Sequence, residues 1–150
     1  MAIEPYDEDD ISDEDGVIRR VNPEHHIVPD ENTGAYRTSS KLFTPSSGDG
    51  DGMSVDIFKL IEAAEIDAKE FVTTPVFTGS VIFSAGAARE KGLRIGYDPI
   101  TGVAGIEDNP FHGEVWGGEA RPNRFSKGQK KALAAASRWF VELEGVEIKA

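Results

Sequence analysis

Cysteine is absent from the 150-residue chain, which excludes disulfide bonds, thiolate metal sites and a cysteine nucleophile. The chain also lacks a run of about 18 apolar residues, the length that a membrane-spanning helix requires. Its first residues, MAIEPYDEDD, have neither the basic nor the apolar region of a signal peptide. We therefore expect no membrane association and no export, and a reducing cytoplasm is the expected location.

Positive charge is scarce, with 16 Lys and Arg residues against 27 Asp and Glu. Eight of the acidic residues precede Arg19, the first basic residue, and the remainder of the chain is nearly balanced. A segment of like charges with little apolar content stays solvated. Residues 1–16 are therefore predicted to be a disordered acidic tail, and residues 17–150 a single domain. Such a tail repels phosphate backbones, so a protein partner is expected in preference to nucleic acid; the oligomeric state is left open.

Hydrophobic periodicity and turn residues predict both helices and strands. Ser54 is a suitable N-cap for a helix, Ser84 and Gly92 can begin and end a short one, and Ser126 with Gln129 forms a capping box whose helix carries apolar residues as far as Leu143. Predicted strands cover residues 17–21, 81–83, 93–97, 111–116 and 146–148, and residues 29–52 read as a long irregular stretch. The expected fold class is α+β: a single small domain with a mixed or antiparallel sheet packed by two to three helices.

Three polar clusters contain the chemistry-bearing side chains. The first contains Arg19, Arg20, His25 and His26, the second runs from Arg37 through Ser39 and Ser40, and the third holds His112 and Glu114. Together they supply a proton carrier near neutral pH, fixed positive charge, hydroxyl groups and a carboxylate. The candidate catalytic residues are Glu114, His112, Ser39 and His26, and the candidate ligand-binding residues are Arg19, Arg20, Arg37 and Ser40.

The order of an arginine on a first strand, a serine-rich element and a glutamate on a late strand resembles the Arg-Ser-Glu layout of ADP-ribosyltransferases. The resemblance implies NAD as cofactor. It assigns the phosphate-binding role to Arg19 or Arg20, the nicotinamide-ribose role to Ser39 and the catalytic carboxylate to Glu114. Thr38-Ser39-Ser40 departs from the family's Ser-Thr-Ser, and His112 stands where the family has Glu or Gln.

Three alternatives remain open from the residues alone. A metal-dependent hydrolase would use one of the adjacent histidines, His25 or His26, with His112 and Glu114. A non-enzymatic interaction module would use the acidic tail or the Gly/Asp loop at residues 48–52. The simplest alternative is structural: the first two arginines lie on an edge strand and pair with the excess carboxylates.

Overall fold

The computed structural model describes residues 7–45, 52–117 and 124–150. Within these ranges the chain forms nine strands, five α-helices and one 3-10 helix. The strands are β1 (Gly16–Val21), β2 (Ile27–Pro29), β3 (Tyr36–Thr38), β4 (Met53–Ile57), β5 (Gly79–Ser84), β6 (Arg94–Tyr97), β7 (His112–Trp116), β8 (Arg138–Val141) and β9 (Val146–Glu147). The helices are α1 (Pro23–His26), α2 (Phe58–Ala63), α3 (Ala68–Val72), α4 (Ala85–Arg89) and α5 (Lys127–Ala136), and the 3-10 helix spans Ser40–Phe43.

Two sheets organise these elements. Six strands form an antiparallel sheet in the order β6-β7-β4-β1-β5-β8, and a smaller mixed sheet has the order β2-β3-β9. The predicted α+β class of a single small domain is thereby confirmed. The helices number five in the described ranges where two to three were expected, because several span only one or two turns. None of the described helices is both long and apolar enough to cross a membrane.

Strand β1 lies inside the large sheet, between β4 and β5. The two arginines therefore do not lie on an edge strand, although Arg20 pairs with a carboxylate, that of Asp56, as the structural alternative expected. Because successive side chains of a strand point to opposite faces, Arg19 shares the face of Val17 and Val21, which belong to the main hydrophobic core. Arg20 shares the opposite face with Ile18, which packs in a second apolar cluster with residues of α2 and α3.

Local signals predicted the β5–α4–β6 unit correctly. The Ser84 hydroxyl accepts a hydrogen bond from the amide of Ala87 and so caps α4. Gly92 follows that helix with a φ of 78°, a left-handed conformation that favours glycine. The capping box between Ser126 and Gln129 is likewise present at the start of α5.

Two helix boundaries were predicted wrongly. Ser54 does not cap a helix: Met53–Ile57 is a strand, and α2 begins only at Phe58. The last helix ends at Ala136, and Arg138–Val141 pairs with β5 as a strand instead of extending the helix to Leu143. In both places the apolar residues satisfy the strand period as well as the helix period, and pairing with a neighbouring strand decided the outcome.

Residues 29–52 are less irregular than expected. The described part contains β3 and the 3-10 helix, whose Leu42 and Phe43 are fully buried. Ser39 caps this helix by accepting a hydrogen bond from the amide of Lys41. Of the Gly/Asp run at residues 48–52, positions 48–51 lie outside the described residues.

Residues 7–15 pack against the domain, so the predicted disordered tail does not extend over them. Ile11 is fully buried in the main core. The Arg89 guanidinium pairs with Asp13 at 2.8 Å and with Asp7 at 3.1 Å. Partner cations offset the repulsion among the acidic residues, and an apolar residue anchors the segment. Residues 1–6 of the predicted tail lie outside the described residues.

Candidate functional site

A cavity of about 310 Å³ opens on the face of the large sheet that carries Arg20. Strands β1, β4 and β7 form its floor, and helix α3, the turn after it and the loop between β6 and β7 form its walls. Its lining combines five apolar residues, which ligand-binding sites typically have, with nine polar or charged residues. Those apolar residues are Val55, Phe71, Phe77, Ile100 and Ile106.

Asp56 organises the polar floor of the cavity. This carboxylate is 2% exposed and accepts hydrogen bonds from Arg20 Nε at 2.9 Å and Arg20 Nη2 at 3.3 Å. The side-chain amide of Asn109 donates to the same carboxylate at 2.7 Å. The Asp56 carboxylate thus holds together β1, β4 and the β6–β7 loop. Without these partners, a buried charge would lower the stability of the fold.

Arg20 is held in one orientation by a further contact. Its guanidinium carbon lies 5.5 Å from the centre of the Phe71 ring, a cation–π geometry. The side chain keeps 23% of its surface exposed, and its Nη1 makes no hydrogen bond to any residue in the described ranges. Nη1 is therefore the donor that Arg20 can offer to a molecule in the cavity.

Arg19 is buried beneath the same site but faces the main core. Its Nε donates to the carbonyl of Leu42 at 2.8 Å and its Nη1 to the carbonyl of Ser54 at 3.0 Å. Burial lowers the pKa of Arg19 to about 10, while the charge of Asp56 acts in the opposite direction. The guanidinium remains charged at neutral pH and joins the 3-10 helix to β4, which is a structural role.

His112 lies at the first position of β7, directly opposite Asp56 in β4. Residues paired in this way have Cβ atoms about 4.5–5.5 Å apart, so the imidazole adjoins the Asp56 network. The ring is 8% exposed and lines the cavity. Its Nδ1 lies 2.7 Å from the carbonyl oxygen of Asp98. A carbonyl only accepts, so Nδ1 carries the proton. In the neutral imidazole, Nε2 on the other edge of the ring then has a lone pair, and it makes no hydrogen bond within the described residues.

Of the candidate residues predicted from sequence, Arg19, Arg20 and His112 line the cavity. Glu114 projects from the same face of β7 two residues further on, but it does not line the cavity; its carboxylate accepts a hydrogen bond from the amide of Gly52 at 2.6 Å. His112 and Glu114 were expected to share one face, and both are buried there.

The remaining candidates lie in other surroundings. The Nδ1 of His26 accepts a hydrogen bond from the amide of Asn22, closing the turn of α1. Arg37 donates to the carbonyl of Thr38, and Ser39 caps the 3-10 helix. Ser40 is exposed. None of these four residues lines the cavity.

Sequence reasoning missed Asp56, Asn109 and Phe71. A signal for Asp56 was present: Met53, Val55 and Ile57 alternate with Ser54 and Asp56, the period-two pattern of a strand. That strand places a carboxylate on the same face as Arg20. Asn109 precedes a proline in a Gly-rich loop, and its convergence on Asp56 depends on a fold that no local pattern encodes.

A metal centre finds no support in the described parts of the chain. Within residues 7–45, 52–117 and 124–150, no three His, Asp or Glu side chains are grouped closely enough to hold a metal ion. Comparisons with protein-family models, curated proteins and solved structures find no match to this chain. The proposals for its function therefore rest on the geometry of the cavity.

Proposed function

We propose that this domain binds a small carbonyl-containing molecule in the cavity and that His112 exchanges a proton with it. The observation that carries the proposal is the contact of 2.7 Å between His112 Nδ1 and the carbonyl of Asp98. It fixes the ring and, in the neutral imidazole, leaves Nε2 as a proton acceptor, the arrangement that general-base catalysis requires.

Arg20 supplies the complementary group. Asp56 and Phe71 hold its guanidinium in place, and its Nη1 can donate a hydrogen bond to a carbonyl oxygen. Negative charge develops on that oxygen when a base removes a proton from the neighbouring carbon, and a preorganised donor stabilises that charge. His112 as base and Arg20 as donor together form a minimal site for proton abstraction next to a carbonyl.

The cavity volume limits the size of the ligand. About 310 Å³ is at the lower end of the range for small-molecule sites, so a ligand with one ring or one branched chain fits better than a dinucleotide. Of the residues that the ADP-ribosyltransferase resemblance assigns, Arg19 and Arg20 line the cavity, and Arg19 is bound to two backbone carbonyls; Ser39 and Glu114 lie elsewhere. Because only the two arginines lie at the cavity, the support for NAD as the cofactor is limited. NAD is therefore included as one compound in the screen described below.

A protein partner and the cellular location are two further proposals. A basic protein partner could contact the acidic segment, although Asp7, Asp13 and Asp15 are already paired with Arg89 and Lys59. A cytoplasmic location is supported by the absence of cysteine.

The test is a screen of small carbonyl compounds and NAD by saturation-transfer NMR, followed by hydrogen–deuterium exchange of the compounds that bind. We expect binding to be lost in Ile106→Trp, which narrows the mouth of the cavity, and retained in Val103→Trp. Ile106 lines the cavity, whereas Val103 belongs to the same loop and is similarly exposed without lining it.

Exchange of the hydrogen next to the carbonyl should be catalysed by the wild type and reduced about 100-fold or more in His112→Gln, the usual range for loss of a general base. Binding that is equal in wild type and Ile106→Trp would place the ligand elsewhere. Exchange that is equal in wild type and His112→Gln would remove His112 from the chemistry.

A further inference from the structure

We propose that the ligand carries a positively charged amine in addition to its carbonyl group. This inference rests on the proposed function and specifies the substrate class: a small amino-carbonyl compound with an apolar body. It is drawn from the distribution of charge around the cavity and from the way in which each charged group is already paired.

Both cations that line the cavity are engaged by the protein itself. Arg19 donates to two backbone carbonyls, and Arg20 forms an ion pair with Asp56 at 2.9 Å. The Asp56 carboxylate in turn accepts hydrogen bonds from both Arg20 and Asn109. Asp56 offsets only one of the two arginine charges, so the inner end keeps a net charge of about +1 and hydrogen-bond donors that suit an electron-rich oxygen.

The mouth of the cavity is negative. Glu107 and Asp108 line it and are exposed. Asp108 accepts a hydrogen bond from the amide of Gly102 at 3.0 Å, and Glu107 makes no hydrogen bond or ion pair within the described residues. No lysine lines the cavity. These two carboxylates are therefore free to bind a cation that arrives with the ligand.

The inner end and the mouth of the cavity together indicate which chemical groups the ligand carries. The lining carries three carboxylates and two arginines, and its net negative charge lies at the mouth, where an ammonium group would meet Glu107 and Asp108. His112, a buried residue that lines the cavity and whose Nε2 makes no hydrogen bond within the described residues, independently marks the inner end as a place for a ligand. The net charge of −11 also raises the local concentration of cations around the protein.

The test uses three probes with the same apolar body: phenylalaninamide, its N-acetyl derivative and phenylalanine. We expect phenylalaninamide to bind about fivefold more tightly than the uncharged N-acetyl amide, as one exposed charge contact of about 1 kcal/mol would give. Phenylalanine should bind more weakly than phenylalaninamide because it has no net charge, whereas the lining and the whole chain are net negative. Dissociation constants come from titrations followed by ¹H–¹⁵N NMR of the full chain, at low and at high salt.

The double variant Glu107→Gln/Asp108→Asn should reduce the preference for phenylalaninamide to about twofold or less. Asparagine at position 108 retains an acceptor for the Gly102 amide, so the loop is preserved. The control Glu142→Gln/Glu144→Gln removes the same charge from exposed positions that do not line the cavity, and it should keep the preference of the wild type.

The outcomes separate this inference from the proposed function. Equal binding of the amine and the N-acetyl amide, or an equal loss of preference in both double variants, would overturn the amine. No binding of any of the three probes would also overturn it. The proposed function fails by a different measurement, namely the absence of any compound in the screen whose binding depends on Ile106.

Discussion

At the scale of single residues, two adjacent arginines illustrate how strand geometry divides one sequence motif between two roles. Arg19 is buried on the face of the main core and satisfies carbonyls of Leu42 and Ser54. Arg20 points to the other face, where it lines the cavity and donates a hydrogen bond to Asp56. The two residues have identical chemistry, and the alternation of side chains along β1 makes one structural and the other a ligand-binding candidate.

The half-buried residue His26 should make stability depend on pH. Burial, followed by the charges of Arg19 and His25, lowers the pKa of His26 to about 4, below the value of about 6.5 in an unfolded chain. The unfolded chain therefore binds the proton first, so the free energy of unfolding should decrease as pH falls from about 6.5 to about 4. We expect a loss on the order of 1 kcal/mol, reduced by solvent around the half-buried ring.

Urea unfolding between pH 7 and pH 4.5 measures this loss. His26→Asn cannot be protonated and retains an acceptor for the amide of Asn22, so its stability should fall less than that of the wild type over the same range. His25→Asn, at an exposed position, should follow the wild type. Parallel curves for all three proteins would show that His26 does not contribute.

At the scale of elements, the parts that were predictable from sequence carry their signals locally. Ser84 and Gly92 mark both ends of α4, and the capping box marks the start of α5. Residues 53–57 were misassigned because their apolar residues fit a helix that continues into α2. The cavity was still less predictable. Its polar floor joins residues that are far apart in the sequence: Asp56 lies 36 positions from Arg20 and 53 positions from Asn109.

A pair of glycine substitutions tests the packing of these elements. A Cβ atom added at Gly113 in β7 would lie 2.8 Å from the backbone oxygen of Gly96 and 3.0 Å from Ile57. Gly113→Ala should therefore destabilise the protein by about 1–3 kcal/mol. In α5, a Cβ at Gly128 meets only the Ser126 hydroxyl, at 3.9 Å, and Gly128→Ala should stabilise by about 0.5–1 kcal/mol because alanine favours the helix.

Thermal and urea unfolding of both alanine variants gives the two free energies. The opposite signs are the test: a stable Gly113→Ala variant would mean that β6 and β7 are not paired in the register described, and a destabilised Gly128→Ala variant would mean that α5 does not begin at Lys127.

At the scale of the whole molecule, the N-terminal segment is part of the fold. Ile11 closes the main core, and Ile11→Ala should cost about 2–5 kcal/mol, the range for truncating a buried isoleucine. Ile66→Ala removes the same atoms from a position that is 42% exposed, and it should change the free energy of unfolding by no more than about 0.5 kcal/mol. Urea unfolding of both variants measures the difference. Equal effects would mean that residues 7–15 form a solvated tail, as expected from their charge.

The same segment also determines what the large sheet presents to other copies of the protein. An open strand edge is a template for the addition of further strands. On the outer side of β6, the Glu8 amide donates to the carbonyl of Ile95, and the Asp7 carboxylate accepts from its amide. The edge is thereby occupied, and Asp9 and Asp10 directly follow the residues that occupy it. Two molecules approaching through their β6 edges would bring carboxylates against carboxylates, so the acidity of this segment protects the β6 edge of the sheet against aggregation.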